Sequence, residues 1–293
     1  QLLSAALGRP WQDWKLVSAH GCACDPVAEC MMNRSAFFLT GGTETPASLC
    51  QKLTDAGMGE AHGVVGENLG TEAEAIRYGS AAELAGQSFA PLSVLLVENF
   101  DLPQLRAPGF PDESFIRSEV PMTKQEVRAA ALAKLAVMPT DTLWDVGAGT
   151  GSVSVELALA APKGRVYAVE CEPDACELIR KNRAKFHACN LILIEGRAPD
   201  VLADLPAPDA VFIGGTKGGM EAVLDEVLGK NPNARICISA IALETLGAAI
   251  AALTARGLTA EVTQIAVSRT KPAGRLHLLM ANNPIFLITG TRK

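Results

Sequence analysis

Asp145-Val-Gly147-Ala148-Gly149-Thr150-Gly151 places an acid and three alternating glycines between an apolar run, Thr142–Val146, and a helix-like pattern of Val153, Val155, Leu157 and Ala158. Glycines so placed let a strand-to-helix turn take backbone angles closed to other residues, and let a ligand approach the main chain. A dinucleotide loop wants G-x-G-x-x-G and a phosphate loop wants a lysine after its last glycine; this run has neither. A plain tight turn is the remaining reading of the run taken alone. Arg165–Glu170 then supplies a second apolar run that ends in an acid 19 residues beyond Gly151. A carboxylate at that strand end can accept ribose hydroxyls, so a nucleotide-like ligand is the reading to carry forward.

Two more strand ends follow. Glu195-Gly196-Arg197-Ala198 closes a third apolar run, and Gly214-Gly215-Thr216 closes a fourth that begins at Asp209. The fourth ending has no side-chain acceptor for an amino group. It offers room and main-chain N–H groups, which suits a flat, bulky substrate.

The elements that must position these residues can be read from the same alternation. Strands are expected near residues 142–146, 165–170, 191–195, 209–213 and 234–240, with helices near 152–161, 173–186, 218–229 and 242–255. Apolar runs at Leu258–Val267 and Pro284–Gly290 read as strands that close the sheet, with antiparallel pairing open to them. The fold class is α/β, a doubly wound and mainly parallel sheet that binds ligands at the carboxyl ends of its strands. Thr123-Lys124-Gln-Glu126 reads as a capping box that opens a helix running to about Val137. Pro103, Pro108, Pro111 and Pro121 mark residues 101–121 as a linker. Ahead of it, strands near 14–18, 36–40, 63–67 and 91–97, with a helix over about 45–56, make a smaller α/β unit of residues 1–100. The larger domain is residues 122–293.

Composition narrows the class. The chain has 293 residues, which favours two domains, and a net charge of -6, which argues against non-specific nucleic-acid binding. Residues 1–118 carry 7 Lys/Arg against 14 Asp/Glu, whereas residues 119–293 carry 19 against 18. The second half is therefore close to neutral and has room for a local basic pocket. Eight cysteines lack the paired spacing of a structural zinc site, so no metal is expected, and free thiols point to a reducing cytoplasm. No apolar run has the length of a membrane span, and no signal peptide is evident.

D-x-G-x-G-x-G after a first strand resembles the cofactor loop of Rossmann-like methyltransferases that use S-adenosyl-L-methionine (SAM). That resemblance implies cofactor contacts from Gly147, Ala148, Gly149, Thr150 and Gly151, from Glu170, and from Gly196, Arg197 and Ala198, with Thr123 as a cover. Pro121-Met122-Thr123-Lys124, Glu126-Val127-Arg128, the glycine loop, Gly214-Gly215, Ala242-Leu243-Glu244-Thr245 and Asn283-Pro284 together look like the decarboxylating methyltransferases of cobalamin biosynthesis. Residues 1–100 resemble the C-terminal half of a tetrapyrrole methylase domain, through Ser18-Ala-His20-Gly21, Leu39-Thr40 with Pro46, Glu67-Asn-Leu69-Gly70 with Glu74, and Pro91-Leu92-Ser93-Val94. The G-x-G-P-G-D-type loop of that domain's first half has no match here.

In this order the two pieces resemble the fused precorrin-6Y C5,15-methyltransferases. The resemblance implies C15 methylation of a corrin precursor with loss of the ring C acetate carboxyl, and C5 methylation by the N-terminal domain where it is complete. It also implies a tetrapyrrole substrate, a homo-oligomer, and no nucleic-acid or membrane partner. The substrate carries carboxylates, so Lys124, Arg128, Arg197, Lys217, Arg269, Lys271 and Arg275 are candidates to hold them, beside Gly214, Gly215 and Thr216. Arg269–Arg275 reads as a Gly/Pro loop between strands, a natural carrier of such a role. Glu244 is the candidate proton donor or acceptor for the decarboxylation; as a bare sequence feature it is equally a helix N-terminal acid.

Overall fold

Short apolar runs that stop at turn residues alternate with helices, and each run finds partners in a sheet. The computed structural model describes residues 1–103 and 108–292, and they form two units that divide between these segments.

The first unit contains α1 (Leu2–Leu7), β1 (Lys15–Ser18), α2 (Pro26–Met32), β2 (Ser35–Leu39), α3 (Pro46–Asp55), β3 (His62–Glu67), β4 (Ala75–Ser80), α4 (Ala81–Ala85) and β5 (Ser93–Glu98). Its sheet runs β1-β2-β5-β3-β4, with β1 and β2 parallel and the other neighbours antiparallel. Thr45 caps α3 by accepting from the Ser48 amide at 3.1 Å, and Pro46 follows at the first turn, as the sequence suggests. Glu67 is buried rather than presented to solvent; it accepts from Arg77 Nε and the Ala90 amide, each at 2.6 Å.

In the second unit come α5 (Gln125–Leu135), β6 (Thr142–Val146), α6 (Ser152–Ala160), β7 (Arg165–Glu170), α7 (Pro173–Lys185), β8 (Leu191–Glu195), β9 (Ala210–Ile213), α8 (Met220–Lys230), β10 (Arg235–Ala240), α9 (Leu243–Ala255), β11 (Thr259–Ile265), β12 (Ser268–Ala273), β13 (Leu276–Ala281) and β14 (Ile285–Thr291). The main sheet has the order β11-β14-β10-β9-β6-β7-β8. β8, β7, β6, β9 and β10 are parallel, and β14 pairs antiparallel with both β10 and β11.

Both faces of the sheet's centre are covered, so β6, β7, β9 and β10 are apolar on both sides. Leu143, Phe212, Cys237 and Leu287 point into one core with α5 and α6, while their neighbours Trp144, Val211, Ile238 and Ile288 point into the other with α8 and α9. α6 is buried from Ser152 to Leu159, which explains why its sequence carries almost no polar face. Among the described residues no helix is long and apolar enough to cross a membrane.

Two expectations need correction. Of the expected linker 101–121, residues 104–107 lie outside the described residues, and the stretch after them is anchored at Phe110, Asp112 and Phe115, which are buried, while 117–119 stay exposed. Phe110 and Phe115 are buried in the core, each in ring contact with Phe186. Proline density forbids helices and ladders but not anchoring by aromatic side chains. The stretch Arg269–Arg275 is a loop only at Gly274-Arg275: the rest is strand, in a two-stranded hairpin of β12 and β13 paired from Ser268↔Ala281 to Ala273↔Leu276. Its exposed strand residues lack the buried face that makes a strand legible in sequence.

Candidate functional site

β6 is where the sheet changes direction: the chain goes on to β7 on one side, and β9 lies on the other. A crevice outside the carboxyl ends of the strands is expected at such a point. There the structure has a cleft of about 660 Å³. That size is typical of small-molecule sites.

The glycine loop is the floor. Gly147, Gly149 and Gly151 adopt φ values of 74°, 56° and 74°, the left-handed region that β-carbons disfavour. The Gly147 and Ala148 amides donate to the Val169 carbonyl at 3.0 and 3.1 Å, and the Gly214 amide donates to the Val146 carbonyl at 2.9 Å. A β-carbon on Gly147 would run into the Gly215 main chain. The turns after β6, β7 and β9 are thereby locked together with no space for a side chain at Gly147.

Glu170 is buried at the end of β7. Its Oε2 accepts from the Gly149 amide at 2.8 Å, and its Oε1 accepts from the Cys171 and Glu172 amides at 2.8 and 3.0 Å. Three of a carboxylate's roughly four acceptor positions are thus filled. Binding both hydroxyls of a ribose would require shared contacts or release of one loop amide.

Asp145 lies behind the loop, fully enclosed. Ser154 Oγ donates to its Oδ2, while Oδ1 has no partner among the described residues. Burial pushes its carboxyl up to about 7, reinforced by the nearby Glu170 charge and opposed by the Ser154 hydrogen bond. The Thr150 hydroxyl is buried and likewise without a partner among the described residues, and Thr150 lines the cleft.

Most of the expected site residues meet here. Gly147, Ala148, Gly149, Thr150, Glu170, Gly196, Arg197, Ala198, Gly214, Gly215 and Thr216 line the cleft, with Thr123 and Lys124 across it. Gly151 stands at the N-cap of α6, outside the lining. Lys217 reaches over the mouth to pair with Glu172, so the turns after β7 and β9 are joined by an ion pair. The far end is formed by Ser239, Ile241, Asn282, Asn283 and Ile285 from the ends of β10 and β14. Of these only Asn283 has a sequence signal, as part of Asn283-Pro284; the rest become neighbours through the antiparallel insertion of β14.

Five candidates are placed elsewhere. Arg128 is 0% exposed and spent on internal partners: Nε on Glu156 at 2.8 Å, NH1 on Asp112 at 2.9 Å and the Thr123 carbonyl at 2.5 Å, and NH2 on the Phe110 carbonyl at 2.5 Å. Four of its five N–H donors are used internally, and it is not among the residues that line the cleft. Arg269 is held by Asp112 and Glu126, outside the cleft lining. Lys271 and Arg275 are exposed on the hairpin, and Glu244 is exposed in the first turn of α9; none lines the cleft.

The capping box is corrected too. Lys124, not Thr123, is the N-cap of α5 and makes no side-chain cap. Asp112 supplies the cap instead, accepting from the Gln125 amide at 2.9 Å, and Glu126 is turned outward to Arg269. A cap delivered from outside the local sequence leaves no local signature.

These residues fit SAM. An acid at the second strand end can take ribose hydroxyls, and the glycine floor lets a ligand approach the main chain. The buried, unpartnered Thr150 hydroxyl in the lining is a polar atom that a ligand could satisfy. Among the described residues no group of three His, Cys, Asp or Glu could hold a metal ion.

Comparison with known proteins agrees with this geometry. Residues 114–292 match the model of the precorrin methyltransferase domain. A probable cobalt-precorrin-6B C(15)-methyltransferase (decarboxylating) of Pyrobaculum calidifontis is 46% identical over 187 residues, covering 62% of this chain and 95% of that protein. The crystal structure of a precorrin-6y C5,15-methyltransferase from Geobacter metallireducens superposes with a TM-score of 0.62 at 38% identity, over 66% of this chain and all of that one (100%). The C-terminal domain of the Rhodobacter capsulatus precorrin-6Y C5,15-methyltransferase gives a TM-score of 0.56 at 37% identity, over 64% of this chain and 98% of that one. With its glycine loop, its strand-end acid and its cleft all inside the matched residues, this chain belongs to the precorrin methyltransferase domain family.

Proposed function

We propose that the second unit methylates C15 of a precorrin-6B-type corrin precursor and removes the carboxyl group of its ring C acetate, with SAM as methyl donor, in cobalamin biosynthesis. The observation that carries this is the cleft itself. A glycine-loop cofactor floor adjoins an end with no amide-type acceptor at Gly214-Gly215, inside a domain of the precorrin methyltransferase family.

SAM, when bound, supplies a methyl group on a positively charged sulfur. The chain's residues supply position and exclusion of water, which such a transfer chiefly requires. Glu170 and the close main-chain floor of the glycine loop orient the nucleoside end. The strap Val120–Lys124 covers it. Gly214 and Gly215 leave space for a flat macrocycle edge to approach in line. The new bond takes its electron pair from C15, and the carbon–sulfur bond breaks toward sulfur.

Charge is unevenly distributed around the cleft. Lys124, Arg197 and Lys217 are the cations of the lining, beside the acids Glu170 and Glu172, whereas Ser239, Ile241, Asn282, Asn283 and Ile285, at the ends of β10 and β14, are uncharged. We assign the retained carboxylates to these cations. The carboxyl that leaves is assigned to the uncharged end, where no cation stabilises it. Its carbon–carbon electron pair passes into the conjugated ring as carbon dioxide departs, and a proton restores the carbon.

Residues 1–100 are proposed to be the C-terminal part of a tetrapyrrole methylase domain, to which C5 methylation is assigned where that domain is complete. Self-association is proposed for the β12–β13 hairpin, which exposes Leu276, Leu278, Leu279 and Met280. A two-stranded ribbon with free edges and apolar side chains suits pairing with its own copy.

Incubating the protein with precorrin-6B and SAM tests the main reading. Mass spectrometry is expected to find a product that has gained one methyl and lost one carbon dioxide. Recovery of unchanged precorrin-6B from an enzyme that binds SAM would refute the substrate.

A further inference from the structure

The strap Val120–Lys124 lines the cleft yet belongs to no helix or strand. It lies close over the loop: a β-carbon on Gly149 would come within 3.2 Å of the Pro121 carbonyl oxygen. What fixes it is a chain of charged groups. Arg128 NH1 donates to the Thr123 carbonyl and to Asp112 Oδ1, at 2.5 and 2.9 Å. That same Oδ1 accepts from the Gln125 amide just after the strap. Asp112 Oδ2 faces the other way and accepts from Arg269 NH1 at 3.0 Å. Arg269, on β12, also grips Glu126 with Nε and NH2, at 3.2 and 2.7 Å.

Asp112, Glu156 and Arg128 are all buried, so this trio alone holds two negative charges against one positive. Arg269 supplies the second positive charge from the hairpin. Without Arg269, Asp112 keeps only Arg128, which it shares with Glu156, and a buried negative charge in excess is unfavourable, so the loss is felt at Asp112 and hence at what Asp112 holds.

We propose that Arg269 is a positioning residue for the cofactor cleft: through Asp112 and Arg128 it fixes the strap Val120–Lys124 above the glycine loop. The proposal rests on the reading of the cleft as a SAM site. Arg269 touches neither cofactor nor substrate; its effect is on the cover.

Calorimetric titration of the full chain with S-adenosylhomocysteine provides the test. Arg269→Ala is expected to weaken binding tenfold or more, and Arg269→Lys, which restores the charge without the fork, to fall between. Arg269→Gln, which keeps much of the stem, carries the alanine variant's expectation if that variant does not fold. Lys134→Ala removes another pair between α5 and the C-terminal strands, Lys134–Glu261, that has no link to the strap. It is expected to leave the dissociation constant unchanged, so general weakening of the fold is separated from loss of the cover. Amide hydrogen exchange at Met122–Gln125 should quicken in Arg269→Ala and not in Lys134→Ala. Wild-type binding and exchange in the Arg269 variants would overturn the proposal alone. Failure of the unmodified protein to bind S-adenosylhomocysteine would overturn the cofactor reading beneath it.

Discussion

The Gly149 amide donates to Glu170 Oε2 at 2.8 Å, so the glycine loop and the acid at the end of β7 are one assembly before any ligand arrives. This acid shapes the loop, and in the proposed reading it also accepts from the ligand. Glu170→Gln should therefore lose more than one charge-assisted hydrogen bond. S-adenosylhomocysteine is expected to bind roughly 10–100-fold more weakly, on the order of 1.5–3 kcal/mol. Calorimetry checks this, and an unchanged constant would remove Glu170 from the site.

Two glycines separate backbone strain from collision. Gly147 has φ 74° and a β-carbon there would strike Gly215, whereas Gly218 has φ 96° and nothing within 4 Å. Gly218→Ala should cost about 1 kcal/mol of stability and Gly147→Ala about 2–4 kcal/mol. Denaturant unfolding of the two variants gives the comparison, and equal costs would contradict the contact.

Asp145 makes stability depend on pH. Its carboxyl is raised by burial to about 7, so the folded state holds a proton that the unfolded chain releases near pH 4. Between those values the folded form binds more protons, and stability falls as pH rises. Below about pH 4 the group contributes no such loss. Asp145→Asn should flatten this dependence, so the variant gains on the parent between pH 4 and 7 by up to a few kcal/mol. Unfolding midpoints measured across that range check the sign.

Arg128 is a structural residue, and its variants should behave so. Arg128→Met leaves Glu156 buried without its cation and Asp112 with only the half-exposed Arg269, at a cost of about 3–5 kcal/mol. Adding Asp112→Asn and Glu156→Gln should return part of it. A variant of normal stability with only a raised KM for substrate would reverse this assignment.

The sequence was most legible where period and punctuation agree. The strands and helices of the main sheet lie within a few residues of expectation, because apolar runs buried on both faces must end at the turn residues that carry the site. Antiparallel β14 was open to that reading as well. Less legible were contacts made across the chain. Arg128 looked like a free cation because nothing near it in sequence shows that Asp112 and Glu156 enclose it. Asp112 caps α5 from 13 residues away, so Thr123 and Glu126 imitated a box they do not form. The hairpin escaped notice because its strands bury no face.

β14 follows β10 and β11 in the chain and yet lies between them. During synthesis β11 cannot reach its place until β14 has been made, and until then β10 has an open edge. The order of manufacture and the order of assembly are thus opposed at this side of the sheet. An interrupted or shortened chain would display an unprotected apolar strand to its neighbours, so quality control should fall most heavily on copies that stop before Ile285.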